Sequence, residues 1–398
     1  MKIFQRQCPI CSHPKGRILH HQEFAVSEDY PLPSSYDIVV CESCGFCFAD
    51  TPVTQEGYDN YYANMSKYAD SDTSTGAGLS PWDASRLEGM AEQVLEFAND
   101  RSERILDIGC ANGGLILALR QRGFLSACGI DPSTSCVEQS VKLVPESARV
   151  GTLTTFPAEI GFFDGIILSH VMEHVCDLHS AMERLKGILK PGGWIYIEVP
   201  DASRYKDFLV APFQDFNTEH LNHFSPRGLS NLFQMNKFNP VKIGTKTIFS
   251  AKDIPYPANY GFARMENFTP EFQKDAELAN SLEGYVVASH ALMSRIDTTI
   301  KKVINESPEI IVWGTGQLTM KLLSDTCLAN AKVSAFVDGN PVNQGKLIRE
   351  VRVIGGDDLS SSTIPILVSS LINAGAIIQT IRRLGLTNPV MTLLGEQQ

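Results

Sequence analysis

The ten residues ILDIGCANGG, from Ile105 to Gly114, contain the end of a predicted strand, a glycine-containing turn and the start of a predicted helix. An apolar run ends in Asp107, and Gly109 and Gly113 allow the backbone of the turn to approach a ligand closely. The helix N-terminus that follows offers unpaired N–H groups. This order of elements predicts an α/β fold that binds a cofactor at the turn.

The segments around this turn alternate between strand-like and helix-like patterns. A predicted helix in RLEGMAEQVLEFAN is followed by strand-like runs separated by helical ones, which is typical of a parallel α/β sheet. The strand-like runs are ERILDIG, ACGID, FDGIILSH and GWIYIEVP. Residues 270–305 predict a long helix or a helical pair. A second, smaller α/β unit is predicted from EIIVWGTG, KVSAFVDGN and TIPILVSS.

Five of the ten cysteines lie within the first 47 residues. Cys8 and Cys11 form one C-x-x-C pair, and Cys41 and Cys44 form another. Because each pair offers two thiolates from one tight turn, the pattern predicts a structural zinc site with four sulfur ligands. Cys47 follows closely, so the sequence leaves open whether Cys44 or Cys47 is the fourth ligand.

Charge and hydropathy argue against several classes of partner. The net charge is −11 and no long Lys/Arg run occurs, which disfavours binding to nucleic acid or to an anionic membrane. The start, MKIFQRQCPIC, lacks the apolar segment of a signal peptide, and the most apolar late stretch is interrupted by polar residues. We therefore expect a cytoplasmic protein, with mostly reduced thiols, that acts as a monomer on a small molecule.

Asp131 in GIDPS ends the strand after the turn, where a carboxylate can accept hydrogen bonds from both hydroxyls of a ribose. Nicotinamide-dependent and S-adenosylmethionine (SAM)-dependent proteins share this layout. With FDGIILSHVMEHV and LKPGGWIYIEVP added, the motifs over residues 81–232 resemble those of class I SAM-dependent methyltransferases. An ordinary nicotinamide-binding domain is the alternative interpretation.

This resemblance implies a SAM site at the ends of the strands. Asp107 and Gly109 would line the methionine end, Asp131 would hold the ribose, Thr152 would flank the adenine, and His170 would lie at the mouth of the cleft. The candidate cofactor-binding residues are Asp107, Gly109, Cys110, Ala111, Gly113, Asp131, Pro132, Thr152, Leu153 and His170. Two other histidines of this region, His174 and His179, are expected to have structural roles.

A second group of chemically active residues lies in FNTEHLNHFSP, residues 216–226, where Glu219, His220 and His223 fall within five positions. A metal site has less support, because the adjacent Glu219 and His220 point in different directions on regular structure and no further ligand is obvious. A role in proton transfer fits better, since an imidazole titrates near neutral pH and a neighbouring carboxylate can raise its basicity. His220 is the candidate base with Glu219 orienting it, and His223 is the alternative base.

Nearly the whole chain resembles the deoxysugar C-methyltransferase family. The resemblance rests on the order of the four-cysteine segment, the SAM motifs, the E-H-L-x-x-F-S stretch and the later VWGTG and AFVDGNPVNQGKL. Enzymes of that family methylate C3 of a nucleotide-linked 4-keto sugar, after a base has removed the C3 proton to form an enolate. The resemblance implies that Tyr68 donates a hydrogen bond to the enolate oxygen, with Tyr61 and Tyr62 as further candidates.

By the same resemblance, the chain divides into three parts. Residues 1–75 would be a zinc-binding domain with a tyrosine-rich tail, and residues 80–240 the SAM-dependent methyltransferase domain. Residues 241–398 would comprise a helical connector and a Rossmann-like domain that helps to hold the nucleotide of the substrate. In that last part, Gly314, Gly316 and Asp338 make half of a dinucleotide fingerprint, which predicts a nucleotide-sugar contact or a structural turn rather than a second cofactor.

The sequence departs from the family at positions that would surround the sugar. Asn217 stands where the family usually has tyrosine, and Asn222-His223 stands where it has Ser-Tyr. Two other functions are therefore considered. One is an O-methyltransferase acting on a glycan or another hydroxyl acceptor, and the other is a binding module without activity, supported by Ala111 in the place of a glycine.

Overall fold

The computed structural model describes residues 2–26, 30–65, 76–98, 100–157 and 160–395. The chain folds into two compact units. The first unit comprises Met1–Leu19, Ile38–Phe208 and Glu219–Leu282. The second comprises His20–Asp37, Leu209–Thr218 and Glu283–Gln398. The three-part division at residues 75, 80 and 240 stays a prediction from the sequence.

Strands and α-helices are numbered here in chain order. The strands are β1 (Lys2–Ile3), β2 (Lys15–Glu23), β3 (Ser35–Cys41), β4 (Cys47–Asp50), β5 (Ile105–Ile108), β6 (Cys128–Asp131), β7 (Ala148–Val150), β8 (Phe163–Ser169), β9 (Leu189–Pro200), β10 (Asn222–His223), β11 (Asn239–Ala251), β12 (Ile254–Arg264), β13 (Ile310–Trp313), β14 (Val333–Val337), β15 (Leu347–Ile348), β16 (Val351–Ile354), β17 (Ile366–Val368) and β18 (Val390–Thr392). The helices are α1 (Gln55–Met65), α2 (Pro81–Phe97), α3 (Gly114–Gln121), α4 (Thr134–Leu143), α5 (Leu178–Ile188), α6 (Pro226–Met235), α7 (Leu278–Glu306), α8 (Gln317–Asp325) and α9 (Ala374–Arg383).

The largest sheet of the first unit has the strand order β11-β12-β9-β8-β5-β6-β7. The strands from β9 to β7 are parallel, which confirms the α/β sheet predicted from the alternation of apolar runs. Strands β12 and β11 join the edge in antiparallel orientation as a long hairpin, which makes the sheet mixed. The central strands are almost wholly buried because helices cover both faces of such a sheet.

The helices around this sheet begin where the sequence supplies a capping side chain. Ser80, Ser133, Asp177 and Ser225 each precede a helix and accept a hydrogen bond from a backbone N–H of its first turn. Proline occupies the first helical position in both α2 and α6, where its missing N–H removes no hydrogen bond. The predicted helix RLEGMAEQVLEFAN starts at Arg86, whereas α2 begins five residues earlier, at Pro81 after the Ser80 cap.

A smaller sheet in the N-terminal region has the strand order β1-β2-β3-β4-β10. Strand β10 comes from far along the chain and pairs antiparallel with β4, with Asn222 opposite Phe48 and His223 opposite Cys47. The sheet whose strands flank the two cysteine pairs is therefore completed by residues next to the Glu219–His220 pair.

The sheet of the second unit has the order β15-β16-β14-β13-β17-β18. Its strands are parallel except for β15, as the predicted α/β unit requires. At the end of β13, Gly314 has a φ of 113° and Asp338 accepts a hydrogen bond from the N–H of Thr315 at 3.1 Å.

Residues 278–306 form one continuous helix, α7, rather than a helical pair. Among the described residues, no helix has both the length and the apolar character needed to cross a membrane.

Two glycines of the first unit test the packing of its main sheet. A Cβ atom at Gly165 in β8 would lie 2.1 Å from the Trp194 ring, which is itself 1% exposed, whereas a Cβ at Gly89 in α2 would meet nothing within 4 Å. We expect Gly165→Ala to lower the free energy of unfolding by about 1–3 kcal/mol because the ring has to move. We expect Gly89→Ala to raise it by about 0.4–1 kcal/mol, because alanine is the better helix former. Urea denaturation of both variants measures the difference, and equal effects would contradict this account.

Candidate active site

The turn after β5 is held in a left-handed backbone conformation at three positions. Gly109, Ala111 and Gly113 have φ angles of 75°, 44° and 83°. Ala111 thus adopts the conformation expected of a glycine, and its N–H donates a hydrogen bond to Asp131 Oδ2 at 2.9 Å. A left-handed alanine costs about 1–2 kcal/mol. Alanine at this position is therefore compatible with a left-handed turn whose N–H reaches Asp131.

Two buried carboxylates lie at the ends of the adjacent strands β5 and β6. Asp107 is 4% exposed and Asp131 is 8% exposed. Burial, and then the charge of Asp131, raises the pKa of Asp107 to about 8. Burial also raises the pKa of Asp131, although the N–H groups of Ser133 and Ala111 act in the opposite direction. Because SAM carries an ammonium group and two ribose hydroxyls, its donors match these two acceptors.

The other predicted cofactor residues line the same edge of the sheet. Leu153 is 7% exposed, and Thr152 Oγ1 lies 3.3 Å from Asp59 Oδ2, so helix α1 reaches the predicted adenine side. The Cys110 side chain packs on Gly129, where an added Cβ would come within 2.5 Å of it. Burial raises the pKa of the Cys110 thiol well above its usual value. Pro132 is half-buried.

The ring of His170 is clamped between two buried glutamates. His170 follows β8 with a φ of 55°, and its N–H donates to the carbonyl of Glu198 at 2.8 Å. Its Nδ1 lies 3.2 Å from Glu173 Oε1, and its Nε2 lies 3.5 Å from Glu198 Oε1. Burial by itself lowers the pKa of His170, but hydrogen bonds and charge from the two carboxylates outweigh this effect and raise it to about 9. The ring is therefore anchored beside the predicted cleft as a cation.

The Glu219–His220 pair meets a short 3₁₀ turn, Met172–His174, that follows His170. His174 Nδ1 lies 2.9 Å from the backbone carbonyl of Glu219. The N–H of Leu221 donates to the carbonyl of Glu173 at 2.7 Å. The Asn222 side chain donates to the carbonyls of Met172 and Val175 at 2.9 and 2.7 Å. These hydrogen bonds, called here the 172–222 seam, join the two segments.

Tyrosines of helix α1 complete this polar cluster. The Tyr61 and Tyr62 hydroxyls donate to Glu219 Oε1 and Oε2 at 3.3 and 3.2 Å, and the Tyr62 hydroxyl also lies 2.9 Å from His174 Nδ1. Of the predicted tyrosines, Tyr61 and Tyr62 are thus brought to Glu219, while Tyr68 lies outside the described residues. His174, expected to be structural, was missed as a member of the cluster. The H-x-x-E-H pattern in SHVMEHV was the available signal.

The two histidines of the E-H-L-N-H stretch have different surroundings. The His220 ring contacts the His174 ring, with centroids 5.1 Å apart. His223 lies in β10, fully buried, and its ring contacts that of Tyr205. Burial, and then the nearby charge of Arg6, lowers the pKa of His223 to about 3. The contact with His174 makes His220 the member of this pair that joins the polar cluster.

The four cysteines of the two C-x-x-C pairs form a separate cluster. Their sulfur atoms all lie within 4.8 Å of one another, with Cys8–Cys44 at 3.5 Å and Cys11–Cys41 at 3.6 Å. Four thiolates around a tetrahedral zinc ion lie about 3.8 Å apart for Zn–S bonds of about 2.3 Å. The cluster contains Cys44, whereas Cys47 Sγ points to the carbonyl of Gly45 at 3.7 Å. The donor set therefore fits a zinc ion.

Both cysteine pairs adopt the same local fold. Ser12 and Gly45, which directly follow the second cysteine of each pair, have φ angles of 59° and 77°. The N–H of Ser12 donates to the carbonyl of Cys8 at 2.8 Å, and that of Gly45 donates to the carbonyl of Cys41 at 2.9 Å. Each pair thus forms a tight knuckle that aims two sulfur atoms at a common point.

Comparison with known proteins identifies the central part of the chain. Residues 82–243 match the family model described as a methyltransferase domain. A ubiquinone biosynthesis O-methyltransferase from Bordetella avium is 30% identical over 146 residues, 34% of this chain and 58% of that protein. The chain thus spans less than two thirds of the length of this relative.

Two further similarities differ in their extent. The C-methyltransferase NovU of Streptomyces niveus is 18% identical over 376 residues, 87% of this chain and 84% of that protein. A solved SAM-dependent methyltransferase from Thermotoga maritima matches with a TM-score of 0.36 and 17% identity, over 45% of this chain and 89% of its own. The family match confirms the predicted enzyme class, a methyltransferase, and the matched residues 82–243 contain the parallel α/β sheet described above.

Proposed function

We propose that this protein is a SAM-dependent C-methyltransferase that adds a methyl group to C3 of a nucleotide-linked 4-keto-deoxysugar. The observation that carries the proposal is the meeting of Glu219 and His220 with His174, Tyr61 and Tyr62. The cluster follows the carboxyl end of β8, next to the strand whose end carries Asp107. In open α/β sheets, ligands bind beyond the carboxyl ends of the strands.

The chemistry requires a base, a hydrogen-bond donor to the enolate oxygen and a correctly positioned methyl group. A carbon bound to hydrogen becomes nucleophilic when a base removes a proton next to a ketone, and SAM supplies the methyl group on a cationic sulfur. His220 takes the C3 proton, and the electron pair of the broken C–H bond then forms the new C–C bond as the sulfur–methyl bond breaks. Glu219 stabilises the protonated imidazole, and a tyrosine hydroxyl donates to the enolate oxygen.

The extent of the similarities favours carbon as the methyl acceptor. The match to the Bordetella O-methyltransferase covers 34% of this chain, whereas the match to NovU covers 87%. The first corresponds in length to a methyltransferase domain alone, while the second extends over most of the chain. The O-methyltransferase alternative therefore rests on the domain that many methyltransferases share.

We further propose that Cys8, Cys11, Cys41 and Cys44 bind one structural zinc ion. Four thiolates leave no open coordination position, so the ion would fold the N-terminal segment rather than act on the substrate. Its knuckles precede helix α1, which carries Tyr61 and Tyr62. The ion would in this way help to position the tyrosines over Glu219.

Exchange of the C3 proton tests the carbon reaction. A panel of nucleotide-linked 4-keto-6-deoxy sugars is incubated with the protein in deuterated water, with and without SAM, and followed by proton NMR. We expect loss of the C3 proton signal and, with SAM present, a new carbon-bound methyl group. His220→Ala should slow both by about 100-fold or more. His179→Ala, which alters an exposed histidine of α5, is the control and should leave both rates unchanged.

Two outcomes would contradict this proposal. Methyl transfer to a hydroxyl without C3 exchange would support the O-methyltransferase alternative. Undiminished exchange in His220→Ala would show that another group is the base. The predicted role of Tyr68 is tested alongside, because Tyr68→Phe should lower turnover without loss of zinc.

The pH dependence of SAM binding tests the role of Asp107. The pKa of Asp107 is raised to about 8, so the carboxyl is largely protonated at pH 6.5 and must lose its proton to bind an ammonium group. Each pH unit below that pKa should weaken binding by up to about tenfold, with about one proton released on binding. Calorimetry in buffers of different ionisation enthalpy counts this proton. Asp253→Asn, in an exposed turn, should behave like the wild type, and a flat pH profile in the wild type would disprove the role.

Cysteine variants test the zinc site and its fourth ligand. We expect one tightly held zinc per chain after mild chelation. Cys44→Ser should lose this zinc and lower the thermal midpoint, because one thiolate of the cluster is removed. Cys47→Ser should keep it. Metal analysis by mass spectrometry measures the zinc content of both variants and so identifies the fourth ligand. A full equivalent of zinc in Cys44→Ser would make Cys47 the ligand.

A further inference from the structure

Three side chains of metal-binding type meet beside the 172–222 seam. They are Glu173, His174 and His220, and their donor atoms all lie within 4.8 Å of one another. His174 Nε2 lies 3.7 Å from Glu173 Oε1. Glu173 and His174 lie more than 40 residues before His220, so the grouping of all three was not predicted from the sequence.

The hydrogen bonds of the seam determine which nitrogen of His174 is available. A backbone carbonyl can only accept, so His174 Nδ1, at 2.9 Å from the carbonyl of Glu219, must carry the hydrogen. The Tyr62 hydroxyl donates to Glu219 Oε2, so its oxygen is left to accept from the same Nδ1–H. In the neutral ring the lone pair is then on Nε2, on the side of Glu173. A second hydrogen bond that fixes the tautomer in this way is typical of metal-binding histidines.

Glu173 provides an independent observation. Its side chain is 1% exposed, and Oε2 has no hydrogen-bond partner among the described residues. Its other oxygen, Oε1, is the one near His170 Nδ1 at 3.2 Å and His174 Nε2 at 3.7 Å. A buried carboxylate oxygen without a partner is costly, and a bound cation offsets that cost.

We propose that Glu173, His174 and His220 form a second metal site, which takes a divalent first-row transition ion such as zinc or cobalt. Two imidazoles and one carboxylate are the donors that such ions prefer, whereas calcium and magnesium require more oxygen ligands. Three protein ligands also leave a coordination position open, unlike the four-cysteine site. The two sites therefore differ in their ligand types, and the ion of the second site has an open coordination position that the ion of the four-cysteine site lacks.

The position of the site has a consequence that rests on the proposed function. An imidazole bound to a metal ion has no lone pair left to take a proton. Occupation of the site through His220 would therefore inhibit methyl transfer, and the ion would have to leave before substrate is turned over.

Titration with cobalt tests the site directly, without an assay of activity. The full chain, with zinc retained in the four-cysteine cluster, is titrated with Co²⁺ and followed by visible absorption. We expect one equivalent to bind with ligand-field bands and without sulfur-to-metal charge transfer, since no thiolate takes part. Glu173→Gln and His220→Ala should each weaken this binding by about tenfold or more. His179→Ala is the control and should bind cobalt like the wild type.

The outcomes separate the metal site from the proposed function. Failure of the zinc-loaded wild type to bind one equivalent of cobalt would overturn the site, and so would wild-type cobalt affinity in Glu173→Gln and His220→Ala. Circular dichroism shows whether each variant is folded, and His220, which is only half-buried, provides the variant less prone to misfold. If cobalt binds as expected but methyl transfer is not inhibited, the site stands and the role of His220 as the base is wrong.

Discussion

The hydrogen bond from His174 to the backbone carbonyl of Glu219 joins segments that lie 45 residues apart, and the arrangement of the candidate site depends on it. The bond from Leu221 to Glu173 and the amide of Asn222 reinforce this junction. Because these contacts involve the backbone, the positions of Glu219 and His220 do not depend on their own side chains. The proposed base His220 and its partner Glu219 are therefore positioned by the fold itself, and such positioning can supply a substantial part of a rate enhancement.

The buried carboxylates Glu198 and Asp107 differ in how their charge is compensated. Glu198, fully buried, contacts Lys246 and the ring of His170, and their charges outweigh burial to lower its pKa. Asp107 has no comparable support, since the charge of Arg86 does not offset its burial and its pKa is raised. An incoming cation therefore gains most at Asp107. The two buried carboxylates thus differ in their surroundings, which agrees with the proposal that Asp107 binds the ammonium group of SAM.

Much of the fold was predictable because its signals are local. Buried apolar runs mark the parallel strands, and the helix-like runs between them mark helices such as α2. The β11–β12 hairpin was missed because β11 is largely exposed and carries polar residues through its length. A half-exposed edge strand of this kind lacks the continuous apolar run by which the buried strands were recognised.

The candidate site was predictable only where its members are neighbours in sequence. Glu219 and His220 are adjacent, and the four cysteines occur as two close pairs, so both groups were found. The partnership of Glu173 and His174 with His220 depends on a long-range contact that no local pattern encodes. The preference for Cys44 over Cys47 likewise follows from the knuckle geometry, in which Gly45 turns the chain immediately after Cys44.

Strand β10 has a consequence for the order in which the protein folds. The pairing of β4 with β10 brings together residues separated by the whole of the parallel sheet. During synthesis, β4 therefore emerges long before its neighbour exists, and its edge stays open to other strands in the meantime. Contacts of such high sequence separation form late. Strands β1 to β4 thus belong to one of the last sheets to be finished, and a fragment that ends before β10 would expose an aggregation-prone edge.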